Sequence, residues 1–346
     1  MTWRAKTLAL VLMTGLAGCG TPSRSPALHR FEFTSPHMGS LFTITLYAAD
    51  QPRAQTAAHA AFERIAALDA IMSDYQADSE LMKLCDQSIN QPVPVSADLF
   101  AILERAQRFS ELSGGAFDVT VGPLVRLWRF SRKKKALPAP MELTAASGAV
   151  GFKNLRLNRK DGTVTLLAPG MRLDLGGIAK GYAADQALRL LRDKGISRAL
   201  VAASGDIALG DAPPGMKGWK TGITAIDVKG NDTSRGLVLR HQGISTSGDT
   251  EQYVEIDNVR YSHIVDPRTG LGLTNRIQVT VVAPDATTTD ALATALCVLG
   301  VERGLALADS LPGVSAMILT KQGDEIHTFF SRRFNSLPQT RKAMDP

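Results

Sequence analysis

The chain has 346 residues, a formal net charge of +6 and 44% hydrophobic residues. That length suits one large domain or two lobes, and so mild a charge does not imply a nucleic-acid partner. Three cysteines, with no Cys-x-x-Cys pair and no clustered histidines, argue against a zinc or iron–sulfur centre.

At the N-terminus, Arg4 and Lys6 precede an apolar run over residues 8–16 that is too short to span a bilayer. Residues 1–18 read as a signal peptide. Its end, Leu16-Ala-Gly-Cys19, resembles the lipobox of bacterial lipoproteins, in which the cysteine becomes the first residue and is acylated, palmitate included. An ordinary signal peptide with a coincidental cysteine is the alternative. Two or three acyl chains on Cys19 would anchor stably where one is marginal. Residues 19–30, with Pro22 and Pro26, read as a lipidated, flexible tether, and residues 31–340 as the folded unit.

Within that unit, alternation over residues 42–47 predicts a strand, and apolar spacing predicts helices over 54–72 and 97–112, the second stopped by Gly114-Gly115. The basic cluster from Arg129 to Lys135 reads as a solvated loop, with contact to anionic lipid as the other reading. Residues 155–157 and 163–168 read as strands about Asp161-Gly162. Residues 171–175 form a strand-like run leading into a helix over 178–194. Further strands are expected over 199–203 and 277–283, and as hairpins over 253–256 with 259–265 and over 314–320 with 325–330. A helix over 288–299 stops at Gly300. Helices and hairpins in mixed order predict an α+β fold with mixed, largely antiparallel sheets and packed helices. Cys85 and Cys297 read as small core residues.

Five stretches can carry chemistry. In Asp174-Leu-Gly-Gly-Ile-Ala-Lys180, an acid, a glycine turn and a helix start with a lysine suit a phosphate-bearing ligand, although neither a dinucleotide fingerprint nor a P-loop is present. A plain strand–helix corner is equally consistent. Asp290 and Thr294 stand four apart on one helix face and offer oxygens to a hard cation such as magnesium; helix capping by Thr288 or Thr289 with Asp290 in the first turn is the bland alternative. His263 is a candidate general base, with Asp266 either orienting it or ending its strand. Phe117 and Asp118, between glycines and a Gly-Pro, can present a stacking face and a backbone edge to a planar ring, or merely cap a helix. Tyr75 can stack on a ring or fill the core. Ser247 reads as part of a polar turn, and no Gly-x-Ser-x-Gly elbow occurs.

In this order the stretches resemble the ApbE family of FAD:protein FMN transferases. The resemblance runs through Met38-Gly-Ser, Asp74-Tyr75 with Asp78-Ser-Glu80, Gly115-Ala-Phe-Asp-Val-Thr-Val-Gly-Pro123 and Asp174-Leu-Gly-Gly-Ile-Ala-Lys-Gly181. It continues through Ile244-Ser-Thr-Ser-Gly-Asp249, His263-Ile-Val-Asp-Pro-Arg-Thr-Gly270, Ala283-Pro-Asp285 and Asp290-Ala-Leu-Ala-Thr294. It implies a two-lobed, T-fold-like domain that moves FMN from FAD to a threonine or serine hydroxyl of a target flavoprotein and releases AMP. It further implies FAD contacts at Met38, Tyr75, Ala116, Phe117, Asp118, Asp174, Lys180, His263 and Ile264, and magnesium at Gly177, Asp290 and Thr294. The catalytic candidates are then His263, Lys180 and Asp174, with Asp174 more an FAD anchor than a base. The chain departs from the family at Ser204, where a glycine is usual, and at Ala293, where some relatives carry an acid. The implied setting is the bacterial cell envelope, lipid-anchored and facing the periplasm at the inner membrane, with exported flavin-accepting subunits of membrane redox complexes as partners. A magnesium-dependent FAD pyrophosphatase and a non-catalytic flavin-binding lipoprotein are the competing readings.

Overall fold

A computed structural model describes residues 27–223, 235–248, 253–323 and 325–340. The signal peptide, Cys19 and the tether as far as Pro26 lie outside the described residues. Strand β1 (His29–His37) pairs along its whole length with β2 (Ser40–Ala48), so its first two residues precede position 31.

After β2 come α1 (Gln51–Met72), α2 (Glu80–Cys85), β3 (Val93–Pro94) and α3 (Ala97–Leu112). Asp50, Ser79 and Ser96 cap the three helices by accepting from the backbone N–H three residues on, as short polar side chains do at helix starts. Next are α4 (Gly122–Lys134), α5 (Pro140–Gly148), β4 (Leu155–Asn158), β5 (Thr163–Leu166) and α6 (Ala179–Asp193). The remaining elements are β6 (Ala199–Ala203), β7 (Asp206–Leu209), β8 (Trp219–Ile223), β9 (Arg235–Leu239), β10 (Gln242–Gly248), β11 (Tyr253–Ile256), β12 (Val259–Ser262), β13 (Ile277–Ala283), α7 (Ala286–Ser310), β14 (Ser315–Gln322) and β15 (Glu325–Phe330).

The frame is an eight-stranded sheet in the order β1-β2-β6-β7-β10-β13-β14-β15, and every ladder between the described strands is antiparallel. The α+β expectation holds. Alternation sends Phe42, Ile44 and Leu46 of β2 into the main core, while Tyr47 packs against a second cluster with Trp219 and Phe334 on the other face. Helices α1, α6 and α7 line the main core with small residues, among them Ala54, Ala57 and Ala61 on α1 and Ala183, Ala184 and Ala187 on α6. Small side chains let these helices approach closely, while fully buried Ile65 and Leu68 contribute about 1.5–3 kcal/mol each.

Four local expectations are corrected. The basic cluster is not a loop. It forms the second half of α4, because Leu124, Trp128 and Ser131 recur at helical spacing and are buried, and Pro123 suits the first turn. Its cations sit at the C-terminal end, where the helix dipole favours them, and the helix closes at Lys135 in the left-handed region. Residues 171–175 are extended but join no ladder; Arg172 forms one bridge to Val121 and the Asp174 N–H donates to the Val119 carbonyl. Ser247 lies on β10, not in a turn. Asp285, rather than Thr288 or Thr289, caps α7, and Gly300 breaks that helix with φ +76° before a further helical stretch follows directly. Although α7 is long and apolar enough to cross a membrane, it is the core helix packed on β10 and β13. Cys85 and Cys297 are buried thiols not joined in a disulfide, as expected of small core residues.

Candidate active site

A cleft of about 1380 Å³ opens beside the helix-covered end of the sheet, and all twelve residues expected to meet nucleotide or metal line it. They arrive from distant parts of the chain. Met38 comes from the tight β1–β2 turn, with φ +50° and its N–H donated to Asp69. Tyr75 follows α1, and Ala116, Phe117 and Asp118 follow α3. Asp174 and Gly177 precede α6, which carries Lys180; His263 and Ile264 follow β12; α7 carries Asp290 and Thr294.

The glycine turn before α6 brings the metal candidates together. A side chain at Gly177 would stand 3.1 Å from the Thr294 Oγ1, so glycine is what allows this backbone to reach α7. A Cβ at Gly181 would meet the Ala286 carbonyl oxygen at 2.2 Å, so the two helices touch backbone to backbone there. The Gly181 N–H donates to Asp290 Oδ2 at 3.0 Å. One donor expected for a phosphate at this helix start is therefore already used by a carboxylate.

Asp290 is 2% exposed. Burial, and then the charge of Asp206, push its carboxyl up to about 7, against the pull of Lys180. Lys180 in turn ion-pairs with buried Asp206. Burial works against the lysine's charge, but Asp206 and Asp290 together outweigh it and raise the ammonium above its ordinary range. Asp206 is a site residue that the sequence reading passed over. It opens β7 after a turn in which Ser204 takes φ +55°, a conformation that suits glycine.

No group of three or more His, Cys, Asp and Glu capable of holding a metal occurs among the described residues. A cation here would rely on one carboxylate, one hydroxyl and a backbone carbonyl. Those oxygen donors fit a hard ion that keeps water or phosphate in its remaining positions. Burial and the charge of Asp206 both disfavour the ionised carboxylate, and a cation's charge would offset them, which is consistent with that fit. Ala293, where an acid was considered, is wholly buried in the core.

Two expected carboxylates have local duties. Asp118 accepts from Thr120 N, Thr120 Oγ1 and Phe152 N at 2.8, 2.6 and 2.8 Å, so it braces the loop behind Phe117; burial raises its carboxyl despite these bonds. Asp266 gives both oxygens to Arg268 at 2.9 and 2.7 Å. Its expected role in orienting His263 is therefore corrected. Strand β12 stops at Ser262, one residue before the histidine; Trp128 Nε1 donates to the Ser262 carbonyl and the Ile264 N–H donates to Ser262 Oγ, which fixes that bend.

At another part of the cleft, Asp174 accepts from Gly176 N at 2.8 Å and from Arg129 at 3.0 Å. Burial and the neighbouring Asp74 raise its carboxyl, with Arg129 opposing. Arg129 also ion-pairs with Asp74, and its guanidinium lies 4.2 Å from the centroid of the Tyr75 ring. Tyr75 itself is 78% exposed, which settles against a core role. Arg129 is the second site residue that sequence reasoning missed, hidden in the charge run taken for a loop.

Residues 38–318 match the model of the ApbE family. The FAD:protein FMN transferase of Treponema pallidum (strain Nichols) is 36% identical over 335 residues, covering 92% of this chain and 91% of that protein. The FAD:protein FMN transferase of Escherichia coli (strain K12) is 32% identical over 345 residues, covering 96% of each. Among solved structures, the flavin transferase ApbE from Vibrio cholerae superposes with a TM-score of 0.82 at 31% identity, covering 90% of this chain and 100% of that one.

Proposed function

This chain belongs to the ApbE family and is an FAD:protein FMN transferase, and from that premise we propose how its own residues divide the work. The acceptor hydroxyl of a threonine or serine attacks the FMN phosphorus of FAD. A P–O bond to the acceptor forms, the pyrophosphate P–O bond breaks, and AMP leaves with the electron pair. The observation that carries this division is the convergence of Asp290, Thr294, Gly177, Lys180 and His263 on one cleft.

Met38, Tyr75, Ala116, Phe117, Asp118, Asp174 and Ile264 bind and orient the nucleotide, Asp118 through the loop it braces. The His263 imidazole takes the proton from the acceptor hydroxyl, a task its ring nitrogen can perform from the cleft wall. Lys180, kept charged by Asp206 and Asp290, offsets phosphate charge in the partly buried cleft. Asp290, Thr294 and the Gly177 carbonyl would hold magnesium, which when bound supplies positive charge to the phosphate oxygens.

The test incubates the purified chain with FAD and magnesium, with and without a threonine-bearing acceptor domain. Covalent fluorescent flavin on the acceptor with stoichiometric AMP is expected. AMP released equally fast without acceptor would make hydrolysis the main reaction, and no covalent flavin on any acceptor would sink transfer. His263→Ala is expected to lose transfer while FAD still binds.

The Leu16-Ala-Gly-Cys19 sequence supports anchoring through acylated Cys19 in the cell envelope, facing the periplasm at the inner membrane. Exported flavin-accepting subunits of membrane redox complexes would meet the cleft there. Labelled palmitate should enter the chain and be absent from Cys19→Ala.

A further inference from the structure

Arg129 is the centre of a small assembly on the wall of the cleft. Its two terminal nitrogens reach different acids, Asp74 from the loop after α1 and Asp174 from the segment before α6. Its Cζ lies over the Tyr75 ring, 4.2 Å from the centroid. Asp74 and Asp174 are 16% and 9% exposed, and Arg129 is 30% exposed, so the three charges lie largely out of water while Tyr75 stands open to the cleft. The other charged group acting on this ring is Arg132, one turn further along α4. An exposed ion pair would matter little. Here one guanidinium neutralises two acids that otherwise repel each other, and a forked cation can span both while its centre stays over a ring, as a point-charge ammonium cannot.

The partners decide what the assembly can do. Asp174 and Tyr75 are nucleotide-binding residues in the proposed function, whereas His263, Lys180 and Asp290 are not among the residues Arg129 bonds. We propose that Arg129 is a positioning residue for FAD: by clamping Asp174 and backing the Tyr75 ring it sets the affinity for the flavin nucleotide and leaves the phosphoryl-transfer step untouched. With one face of Tyr75 occupied by Arg129, the open face receives a planar ring of the substrate, giving a three-layer stack of guanidinium, phenol and ligand ring. This rests on the transferase reading for the identity of the ligand.

The experiment measures FAD binding by flavin fluorescence, KM and kcat for transfer, and thermal unfolding, for the full mature chain and for Arg129→Gln and Arg129→Lys. Arg129→Gln is expected to raise both Kd and KM for FAD by about tenfold while kcat stays within about threefold. Arg129→Lys restores charge but not the fork, and is expected to recover part of that loss, leaving Kd about threefold above the parent. Because Arg129 acts in part through Tyr75, Tyr75→Leu combined with Arg129→Gln is expected to lose less FAD affinity than the product of the two single losses. An unchanged Kd in Arg129→Gln, a loss confined to kcat, or fully multiplicative losses in the double variant would each overturn the proposal. Should Arg129→Gln fail to fold, a folded Arg129→Lys with the parent's Kd overturns it instead. A parent that binds FAD but flavinylates no acceptor would refute the transfer reading alone, since the binding comparison stands without turnover.

Discussion

Gly181→Ala sets two physical effects against each other at the helix contact that builds the metal candidates. In an exposed helix, replacing glycine by alanine gains about 1 kcal/mol, because glycine has more backbone freedom to lose. At Gly181 the new Cβ would lie 2.2 Å from the Ala286 carbonyl oxygen and 2.9 Å from the Asp290 Cβ, where ordinary contact begins at 3.4 Å. The oxygen belongs to the first residue of α7 and cannot rotate away. The helices must part by about 1 Å, an overpacking that costs about 1–3 kcal/mol. Parting also stretches the 3.0 Å bond from Gly181 to Asp290, and a weakened buried bond costs about 1–3 kcal/mol more. Clash and lost bond outweigh propensity, for a net loss of about 1–5 kcal/mol. Thermal unfolding followed by circular dichroism should show a Tm about 2–8 °C below the parent, since so long a chain shifts by only about 1.5 °C per kcal/mol. Magnesium should also protect the variant less, since Asp290 moves with α7. A Tm equal to or above the parent would refute the reasoning and leave helix propensity as the ruling effect.

Three further outcomes follow from buried groups. Burial and Asp206 push the Asp290 carboxyl up to about 7 from its ordinary 3.8, so without metal the folded chain holds across that window a proton that the unfolded chain has released. Its contribution to stability therefore falls as pH rises through the window; Asp290→Asn should flatten this decline in urea midpoints and be the more stable protein above it, and parallel profiles would refute the assignment. Asp185→Ala removes the acceptor of Ala286 N, Thr287 N and Thr287 Oγ1, at 2.9, 2.8 and 2.5 Å, and should cost about 3–5 kcal/mol by denaturant unfolding; a loss below about 1 kcal/mol would show that water replaces the carboxylate. Cys85, pushed up to about 11 chiefly by burial, and buried Cys297 should both resist thiol reagents in the native protein and react once it is unfolded.

Elements whose signals are local were legible. The span of α3 is the predicted one, because Ser96 caps it and the glycine pair after Ser113 stops it. The Asp257-Asn258 hairpin takes positive φ at both turn residues, as a two-residue connection requires. Helix α4 was misread because seven residues rich in Arg and Lys masked the spacing of Leu124, Trp128 and Ser131, which shows only when the preceding Gly-Pro is counted as its start. The site was legible as a set of motifs and opaque as a set of partnerships. Asp185 lies on α6, five residues after Lys180, yet its role depends on Thr287, 102 residues away.

Residue type and spacing specify the groups offered to a nucleotide: an acid before a glycine turn, a lysine in the following helix, an Asp and a Thr one helical turn apart, and a histidine ahead of an Asp-Pro turn. Such signals act over a few residues of chain. Which charges answer one another is settled by packing: Asp206 to Lys180, Arg129 to Asp74 and Asp174, and Asp290 to the start of α6. The reason is physical. The protonation of a buried group depends on what it loses in water and gains from neighbours a few ångströms away, and those neighbours are set by how α4, α6 and α7 pack around the cleft.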